Sequence, residues 1–269
     1  MPELVIIAGP NGSGKSTLTE PTRLKRLGIS FPENYINADE IAKSLRETHS
    51  ELSQEEREQA AFREARSLRR RFREQGASYA FETVFSHPST LLDIQQAQAL
   101  GYHVTLLFVT TANPEINVWR VAGRVLQGGH NVPQERIRSR YGRTLALLPR
   151  IIEEVDTAFV FDSTEERQMR LCFHTGLYSI EKYLPSYLQA ALLTPLNERR
   201  KEREFLGTTA QPDEANGIYA GEISLVTVNY ILQKIGERLI RHDRLLLRAE
   251  LFIGQVVTIK YQDAVGEVL

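Results

Sequence analysis

The sequence predicts an α/β fold in which a parallel sheet is flanked by helices and a small β-rich module follows at the C-terminus. Short apolar runs alternate with longer segments of helical spacing, and the runs at residues 104–109 and 157–161 are almost continuously apolar. Such alternation is typical of a parallel sheet that helices cover on both faces. Near residue 217 the pattern changes to short β-like runs separated by glycines. We therefore predict an α/β domain at 1–195, a charged linker at 196–216 and a small β-rich domain at 217–269.

The composition is that of an ordinary globular protein, with 269 residues of which 42% are hydrophobic and 25% charged. A formal net charge of −1 offers no global field that would recruit nucleic acid or a membrane, and no apolar run approaches the roughly 20 residues of a membrane span. The single cysteine, Cys172, excludes a disulfide within this chain, and its apolar neighbours predict a buried, inert thiol. Without a signal peptide at the N-terminus, we expect a cytoplasmic protein.

The first apolar run, at residues 4–8, leads into a segment from Gly9 to Ser16 that fits G-x-x-x-x-G-K-[ST]. Glycines let the backbone wrap closely around phosphate, and successive N–H groups then form an anion-binding nest. Lys15 would reach the β- and γ-phosphates, while the Ser16 hydroxyl would bind Mg²⁺. A plain glycine-rich turn is the alternative, but the strand before the segment and the helix after it favour a P-loop. The predicted ATP-binding residues of this loop are Gly9, Pro10, Asn11, Gly12, Ser13, Gly14, Lys15, Ser16 and Thr17.

Two carboxylates follow predicted strands, at the sheet edge where open α/β folds place ligands. Asp39 comes shortly after a strand at residues 35–36, and it could accept a hydroxyl proton and hold Mg²⁺ through water. Capping of the next helix by Asn37 or Asp39 is the alternative. Glu82 follows the next strand and could bind sugar or ribose hydroxyls, act as the base itself, or serve as a structural cap. Polar side chains beyond it could add substrate contacts, namely Thr83, Ser86 and His87, although His87 could equally be a surface histidine.

An arginine-rich segment with paired glycines supplies the third group of candidates. Arg120 and Arg124 are four residues apart and therefore share one face of a predicted helix. Gly128 and Gly129 would permit a bend before a second arginine-rich stretch that includes Arg140. Guanidinium groups stabilise the negative charge of a transferring phosphoryl group, so we predict that Arg120, Arg124 and Arg140 bind ATP. The segment thus has the composition of a mobile kinase lid, and a solvated arginine surface is the alternative.

Local signals predict a long amphipathic helix between these motifs. Ser53 and Glu56 have the spacing of a capping box, and the helix should run to about Glu74, with Gly76 as its stop. The basic run at residues 69–71 is interleaved with acidic residues, so it indicates a solvated helix face rather than a nucleic-acid patch.

Together these motifs resemble the zeta-toxin family of P-loop kinases, and the resemblance covers residues 1–175 in the family's order. The resemblance implies a P-loop kinase core that transfers the γ-phosphate of ATP with Mg²⁺, and in the toxins proper the acceptor is the 3′-hydroxyl of the amino sugar in UDP-N-acetylglucosamine. It implies that Lys15 and Ser16 bind phosphates and Mg²⁺, that Asp39 is the catalytic base, that Glu82 binds substrate, and that Arg124 and Arg140 contact ATP. The matching features are Gly9 to Thr17, Asn37-Ala38-Asp39-Glu40, Phe81-Glu82-Thr83, and Arg120-x3-Arg124-x3-Gly128-Gly129-His130-x-Val132-Pro133 with Arg140-Tyr141; the Gly-Gly-His-x-Val-Pro part resembles the chromosomal zeta-like branch.

One departure from the family concerns the acceptor. The toxins' substrate strand ends in Glu-Gly-Thr, whereas this chain has Glu82-Thr83-Val84. This difference leaves the acceptor open. UDP-N-acetylglucosamine is the leading candidate, and another small metabolite or a nucleoside is the alternative. Because toxin relatives are usually held inactive by a small antitoxin, the resemblance also implies an antitoxin as a partner.

The tail, from Gly217 to Tyr261, resembles a KfrB-type domain known from plasmid-encoded proteins. We expect it to regulate the kinase in cis or to recruit a partner, and an ATP-driven switch that acts through this tail is a further alternative. Within the tail, the sequence favours a turn between strands over a catalytic pair for His242 and Asp243.

Overall fold

Two sheets organise the chain, and the structure, a computed structural model, describes residues 1–20, 24–25, 28–49, 51–127, 131–166, 168–175 and 184–269. The chain divides into two compact units. The first unit contains residues 1–86, 96–144 and 155–185, and the second contains residues 87–95, 145–154 and 186–269.

The first unit contains a six-stranded sheet that is parallel except at one edge. Its strands lie in the order β2-β3-β1-β4-β5-β6, and β6 pairs antiparallel with β5. The parallel strands β1, β3, β4 and β5 are mostly buried, as their apolar sequences predict, and Cys172 of β6 is buried, also as predicted. The predicted α/β fold is thus confirmed, with the antiparallel edge strand as an addition. The strands are β1 (Glu3–Ala8), β2 (Asn34–Ile36), β3 (Tyr79–Thr83), β4 (His103–Thr110), β5 (Thr157–Asp162) and β6 (Arg170–His174).

Two helices begin at caps that the sequence predicts. Asn37 caps the second helix by accepting a hydrogen bond from the Asp39 amide at 2.9 Å, and Ser53 and Glu56 form the predicted capping box of the third. Among the described residues, no helix is both long enough and apolar enough to cross a bilayer. The helices are α1 (Lys15–Leu18), α2 (Ala38–Thr48), α3 (Gln54–Glu74), α4 (Ser89–Ala99), α5 (Pro114–Leu126), α6 (Gln134–Glu154), α7 (Ser186–Leu188) and α8 (Thr194–Leu206), with a π-helical turn at Gln189–Leu193 and a 3-10 turn at Arg244–Leu246.

The second unit contains a five-stranded antiparallel sheet in the order β11-β10-β7-β8-β9, which confirms the predicted β-rich module. His242 is fully buried in it, and its ring nitrogens contact the Tyr261 hydroxyl at 2.9 Å and the Gln233 side-chain oxygen at 3.1 Å. The turn predicted at His242 and Asp243 is wrong, because both residues belong to strand β9. The strands are β7 (Ile218–Val226), β8 (Tyr230–Ile235), β9 (Arg238–Asp243), β10 (Val256–Gln262) and β11 (Val265–Val268).

Two arginines that the sequence places in solvated runs are buried instead. Arg69 of α3 lies over the Phe81 ring, with its guanidinium carbon 4.6 Å from the ring centroid. Arg199 lies in α8, so the segment predicted as a linker at 196–216 is helical as far as Leu206. A charged side chain can be buried when it has a specific partner, as each of these arginines has. The pattern of charges along the sequence does not reveal that partner. The predicted domain limits stay predictions.

Candidate active site

The P-loop connects β1 to α1, and its geometry requires its glycines. Gly9, Gly12 and Gly14 take φ values of 143°, 75° and 94°. A Cβ on Gly9 would lie 2.0 Å from the carbonyl oxygen of Val109, and one on Gly12 would lie 2.7 Å from that of Asn117. Because L-residues disfavour positive φ at all three positions, and Gly9 and Gly12 also lack space for a Cβ, the glycine pattern follows directly from the loop's conformation.

Lys15 lies beside Glu82, at the carboxyl ends of two neighbouring strands. Its Nζ donates to the carbonyl oxygens of Gly9 at 3.0 Å and Pro10 at 3.1 Å, and lies 3.7 Å from Glu82 Oε1. The pairing of β1 with β3 puts Ile7 opposite Glu82, and this register brings the carboxylate to the P-loop. The two side chains are only 8% and 12% exposed, so their charges interact with little screening by water.

Glu82 has two further partners, both from the end of β2. The Tyr35 hydroxyl donates to Glu82 Oε2 at 3.1 Å, and the Asn37 amide nitrogen donates to the same oxygen at 3.4 Å. Burial raises the pKa of the Tyr35 hydroxyl, and the Glu82 charge raises it further. The sequence indicates no site role for Tyr35, and for Asn37 it indicates a helix cap and a place in the motif Asn37-Ala38-Asp39-Glu40 rather than a contact with Glu82. The signal that could have found them is their position. Tyr35 lies in β2 and Asn37 directly follows it, and β2 pairs with β3, the strand that carries Glu82.

The charges of the other predicted residues act on the same place. Burial lowers the pKa of Lys15, while the carboxylates of Glu82 and Asp39 raise it and the guanidinium of Arg124 lowers it. Burial and neighbouring arginines likewise lower the pKa of Arg140, while Asp39 raises it. The charges of Glu82, Asp39 and Arg124 thus act on Lys15, and the charge of Asp39 also acts on Arg140. Asp39 itself is exposed, in the first turn of α2.

Arg120 has a different setting from Arg124, although the two share α5. Its Nη1 donates to Ser163 Oγ at 3.1 Å, and its Nη2 donates to the Ser163 carbonyl oxygen at 2.7 Å. Ser163, which follows β5 and is almost fully buried, in turn donates to the Ser13 carbonyl oxygen of the P-loop at 2.5 Å. No sequence pattern marks Ser163, which directly follows a strand that carries no motif of its own. The predicted ATP contact of Arg120 stays a prediction.

The remaining candidates have local contacts. Thr83 Oγ1 accepts a hydrogen bond from the Phe85 amide at 3.1 Å, within a turn that follows β3. His87 belongs to the second unit, where its Nδ1 lies 2.9 Å from Ser89 Oγ and accepts from the Ser89 amide at 3.2 Å. Their substrate roles stay predictions. The paired glycines and the histidine of the lid motif, Gly128, Gly129 and His130, lie outside the described residues.

The side chains near the P-loop suit Mg²⁺ better than a metal held wholly by protein. No group of three or more histidine, cysteine, aspartate or glutamate side chains suited to a metal ion occurs in the part of the chain that the structure describes. Mg²⁺ usually takes one or two protein oxygens and completes its shell with water and substrate phosphates. Ser16 and Asp39 are both exposed and offer such oxygens. A cation shared with a nucleotide therefore fits this donor set.

Two family models match the chain. The zeta toxin model matches residues 1–174, and the KfrB domain model matches residues 218–269. An uncharacterized protein of Haemophilus influenzae is 27% identical over 137 residues, which is 51% of this chain and 91% of that protein.

Solved structures resemble the chain in fold. The complex of AvrRxo1-ORF1 and AvrRxo1-ORF2 with sulphate ions contains a chain that is 18% identical with a TM-score of 0.55, and the match covers 67% of this chain and 61% of that one. A chain from the corresponding complex with ATP is 17% identical with a TM-score of 0.55, and the match covers 80% of this chain and 68% of that one. A chain from the structure of the PezAT chromosomal toxin–antitoxin system of Streptococcus pneumoniae is 14% identical with a TM-score of 0.50, and the match covers 75% of this chain and 86% of that one. The chain thus spans 61% of the AvrRxo1 chain in the first of these structures, and these likenesses show a shared P-loop kinase-like fold.

Proposed function

The chain belongs to the zeta toxin family, and on that premise we propose that it is an ATP-dependent phosphotransferase that acts on a hydroxyl of a small molecule. The observation that carries the proposal is the pairing of the P-loop lysine with a strand-end carboxylate. Lys15 Nζ lies 3.7 Å from Glu82 Oε1, and the charges of Asp39 and Arg124 act on the same lysine. A plain nucleotide-binding loop needs the lysine alone, whereas transfer to an acceptor also needs groups that orient the hydroxyl and take its proton.

Each side chain has a role that its chemistry supports. The P-loop amides and Lys15 would hold the phosphates, and Arg124 with Arg140 would stabilise the charge that develops on the γ-phosphoryl group. Asp39, which is exposed, would accept the proton of the acceptor hydroxyl. Mg²⁺, when bound by Ser16 and through water by Asp39, would neutralise phosphate charge.

Glu82 would bind the acceptor, which we propose to be a UDP-N-acetyl sugar, with UDP-N-acetylglucosamine the leading candidate. Tyr35 and Asn37 both donate to Glu82 Oε2, so that oxygen has a fixed orientation. A carboxylate oriented in this way can accept hydrogen bonds from sugar hydroxyls in a directed manner. Because the strand end Glu82-Thr83-Val84 differs from the Glu-Gly-Thr of the toxins, another acceptor such as a nucleoside is the alternative.

We further propose that a protein partner or the C-terminal domain restrains the activity. Relatives of similar fold were solved as complexes, one of them described as a toxin–antitoxin system. An antitoxin is therefore the proposed partner, and regulation in cis by residues 218–269 is the alternative. A cytoplasmic setting, where ATP is available, is part of the same proposal.

Phosphorus NMR of the purified protein with Mg-ATP and a panel of UDP-sugars and nucleosides tests the acceptor. We expect a new phosphomonoester on UDP-N-acetylglucosamine that is missing with the Lys15→Ala variant. A phosphomonoester on a nucleoside instead would replace the acceptor but keep the reaction class. ADP and free phosphate alone, stimulated by a protein or nucleic acid, would contradict the kinase and favour an ATP-driven switch.

The role of Asp39 has its own test. Asp39→Ala should abolish transfer while ATP binding, measured by titration calorimetry, stays close to that of the wild type, because a base acts in the transition state more than in the ground state. Glu40→Ala, which removes the neighbouring exposed carboxylate of α2, is the matched control and should keep its turnover. Near-normal transfer by Asp39→Ala would rule it out as the base.

A further inference from the structure

One face of α5 packs against the P-loop. Asn117, Arg120, Val121 and Arg124 are spaced i, i+3, i+4 and i+7, so they lie along the same face of the helix. A Cβ on Gly12 would lie 2.7 Å from the Asn117 carbonyl oxygen and 3.2 Å from Val121 Cγ2. The helix backbone and the loop backbone are therefore in direct contact, and a shift of either would displace the other.

A chain of hydrogen bonds reinforces this contact. Arg120 donates to Ser163 through both of its Nη atoms, and the Ser163 hydroxyl donates to the Ser13 carbonyl oxygen. The Ser163 amide donates to the Thr110 carbonyl oxygen at 2.8 Å, which fixes Ser163 to the end of β4. Ser13 is fully buried and Ser163 nearly so, so water competes little for the bond between them. The two bonds from Arg120 have a charged donor, and charge-assisted hydrogen bonds are stronger than neutral ones.

The anchored carbonyl belongs to the peptide that joins Ser13 to Gly14. In a trans peptide the C=O and the following N–H point in opposite directions. Holding the Ser13 carbonyl toward Ser163 therefore aims the Gly14 N–H to the opposite side. In a P-loop, N–H groups that converge on one side are what binds phosphate.

We propose that Arg120 is a positioning residue, which acts on nucleotide binding through Ser163 and the Ser13–Gly14 peptide rather than by touching ATP. The inference rests on the proposed function for the nucleotide, and it separates Arg120 from Arg124, whose charge acts on Lys15 itself. Both Nη groups of Arg120 donate to Ser163, in the loop after β5. The guanidinium therefore orients the phosphate-binding N–H groups through the carbonyl side of the Ser13–Gly14 peptide.

Calorimetric titration with ATP and with ADP tests the proposal on Arg120→Gln, Ser163→Ala and the double variant. Each single change should weaken ATP and ADP by the same factor, about tenfold, since a charge-assisted hydrogen bond is lost and the nest holds phosphates common to both nucleotides. The double variant should bind no more weakly than Arg120→Gln alone, because both changes break one pathway. Arg120→Lys should recover part of the loss. Arg63→Gln, which removes an exposed arginine of α3, is the matched control and should bind like the wild type.

Direct contact with ATP would give a different pattern. If Arg120→Gln weakened ATP but not ADP, or if the two single effects multiplied in the double variant, the proposal would be overturned. Hydrogen exchange of the nucleotide-free protein keeps the test separate from the kinase hypothesis. Faster exchange at residues 9–17 in both single variants supports the positioning role, and unchanged exchange there refutes it. Failure of the wild-type protein to bind ATP would count against the proposed function alone.

Discussion

The ion pairs of Arg199 give the sharpest prediction for stability. Arg199 Nε lies 2.8 Å from Glu153 Oε2, and its Nη2 lies 2.5 Å from Asp243 Oδ2. The side chains of Arg199, Glu153 and Asp243 are only 5%, 2% and 5% exposed. Burial by itself lowers the pKa of Arg199, but the two carboxylates more than offset that effect and raise it. Arg199→Met would therefore leave two buried carboxylates short of a partner.

The expected cost follows from the contacts that survive. Removing one member of a buried ion pair typically destabilises a protein by about 3–5 kcal/mol. Asp243 keeps Arg150, whose Nε lies 3.2 Å from Oδ2, and Glu153 keeps Arg203, whose Nη2 lies 2.9 Å from Oε1. We therefore expect the lower end, about 3 kcal/mol, which at a urea slope of about 2 kcal/mol per molar is a midpoint shift of about 1.5 M.

Urea unfolding followed by circular dichroism measures this shift. Arg200→Met is the matched control, because Arg200 is the next residue of α8 and is exposed, so its loss should change stability by less than about 0.5 kcal/mol. The double variant Arg199→Met/Asp243→Asn should cost less than the sum of its parts, since it leaves fewer unpaired charges. If Arg199→Met and Arg200→Met shifted the midpoint equally, the buried network would not stabilise the protein and the reasoning would be refuted.

Three further predictions concern charge and space. Glu82→Gln removes the carboxylate that raises the pKa of Lys15, so NMR titration of labelled lysine should show that pKa at a lower value than in the wild type; an unchanged pKa would contradict the pairing. Burial lowers the pKa of His242 to about 4 from its ordinary value of 6.5. The unfolded chain therefore binds the proton first, and stability measured by urea unfolding should fall by up to about 3 kcal/mol as the pH drops from 6.5 to 4, whereas His242→Gln should lack that component. Gly9→Ala should abolish ATP binding in calorimetry, because it combines a φ of 143° with no space for a Cβ; Gly123→Ala, on α5 where a Cβ meets open space, should bind ATP normally.

The sequence determined the features whose causes are local. The glycine spacing of the P-loop reflects positive φ at Gly9, Gly12 and Gly14, which only residues without a Cβ adopt easily. The caps at Asn37 and Ser53 depend on side chains that bond amides two or three residues away. Near-continuous apolar runs likewise identified the parallel strands, because a strand covered on both faces has little room for polar residues.

The tertiary structure decided which distant groups meet. Glu82 faces Lys15 because β3 pairs with β1 in a particular register, and no local signal encodes that pairing. Tyr35 and Asn37 reach Glu82 for the same reason, through the pairing of β2 with β3. The sequence predicted that each of these strands would end near a ligand, but it could not say which side chains would touch.

Charged residues show the same division. Arg199 sits in a run of mixed charges that predicts a solvated linker, and it is buried because Glu153 and Asp243, from distant parts of the chain, complete its ion pairs. Arg120 has the spacing of a lid arginine, yet its hydrogen bonds go to Ser163 beyond the end of β5. A charged side chain is equally compatible with water and with a buried partner, and only the folded chain, by placing that partner within bonding distance, decides between them.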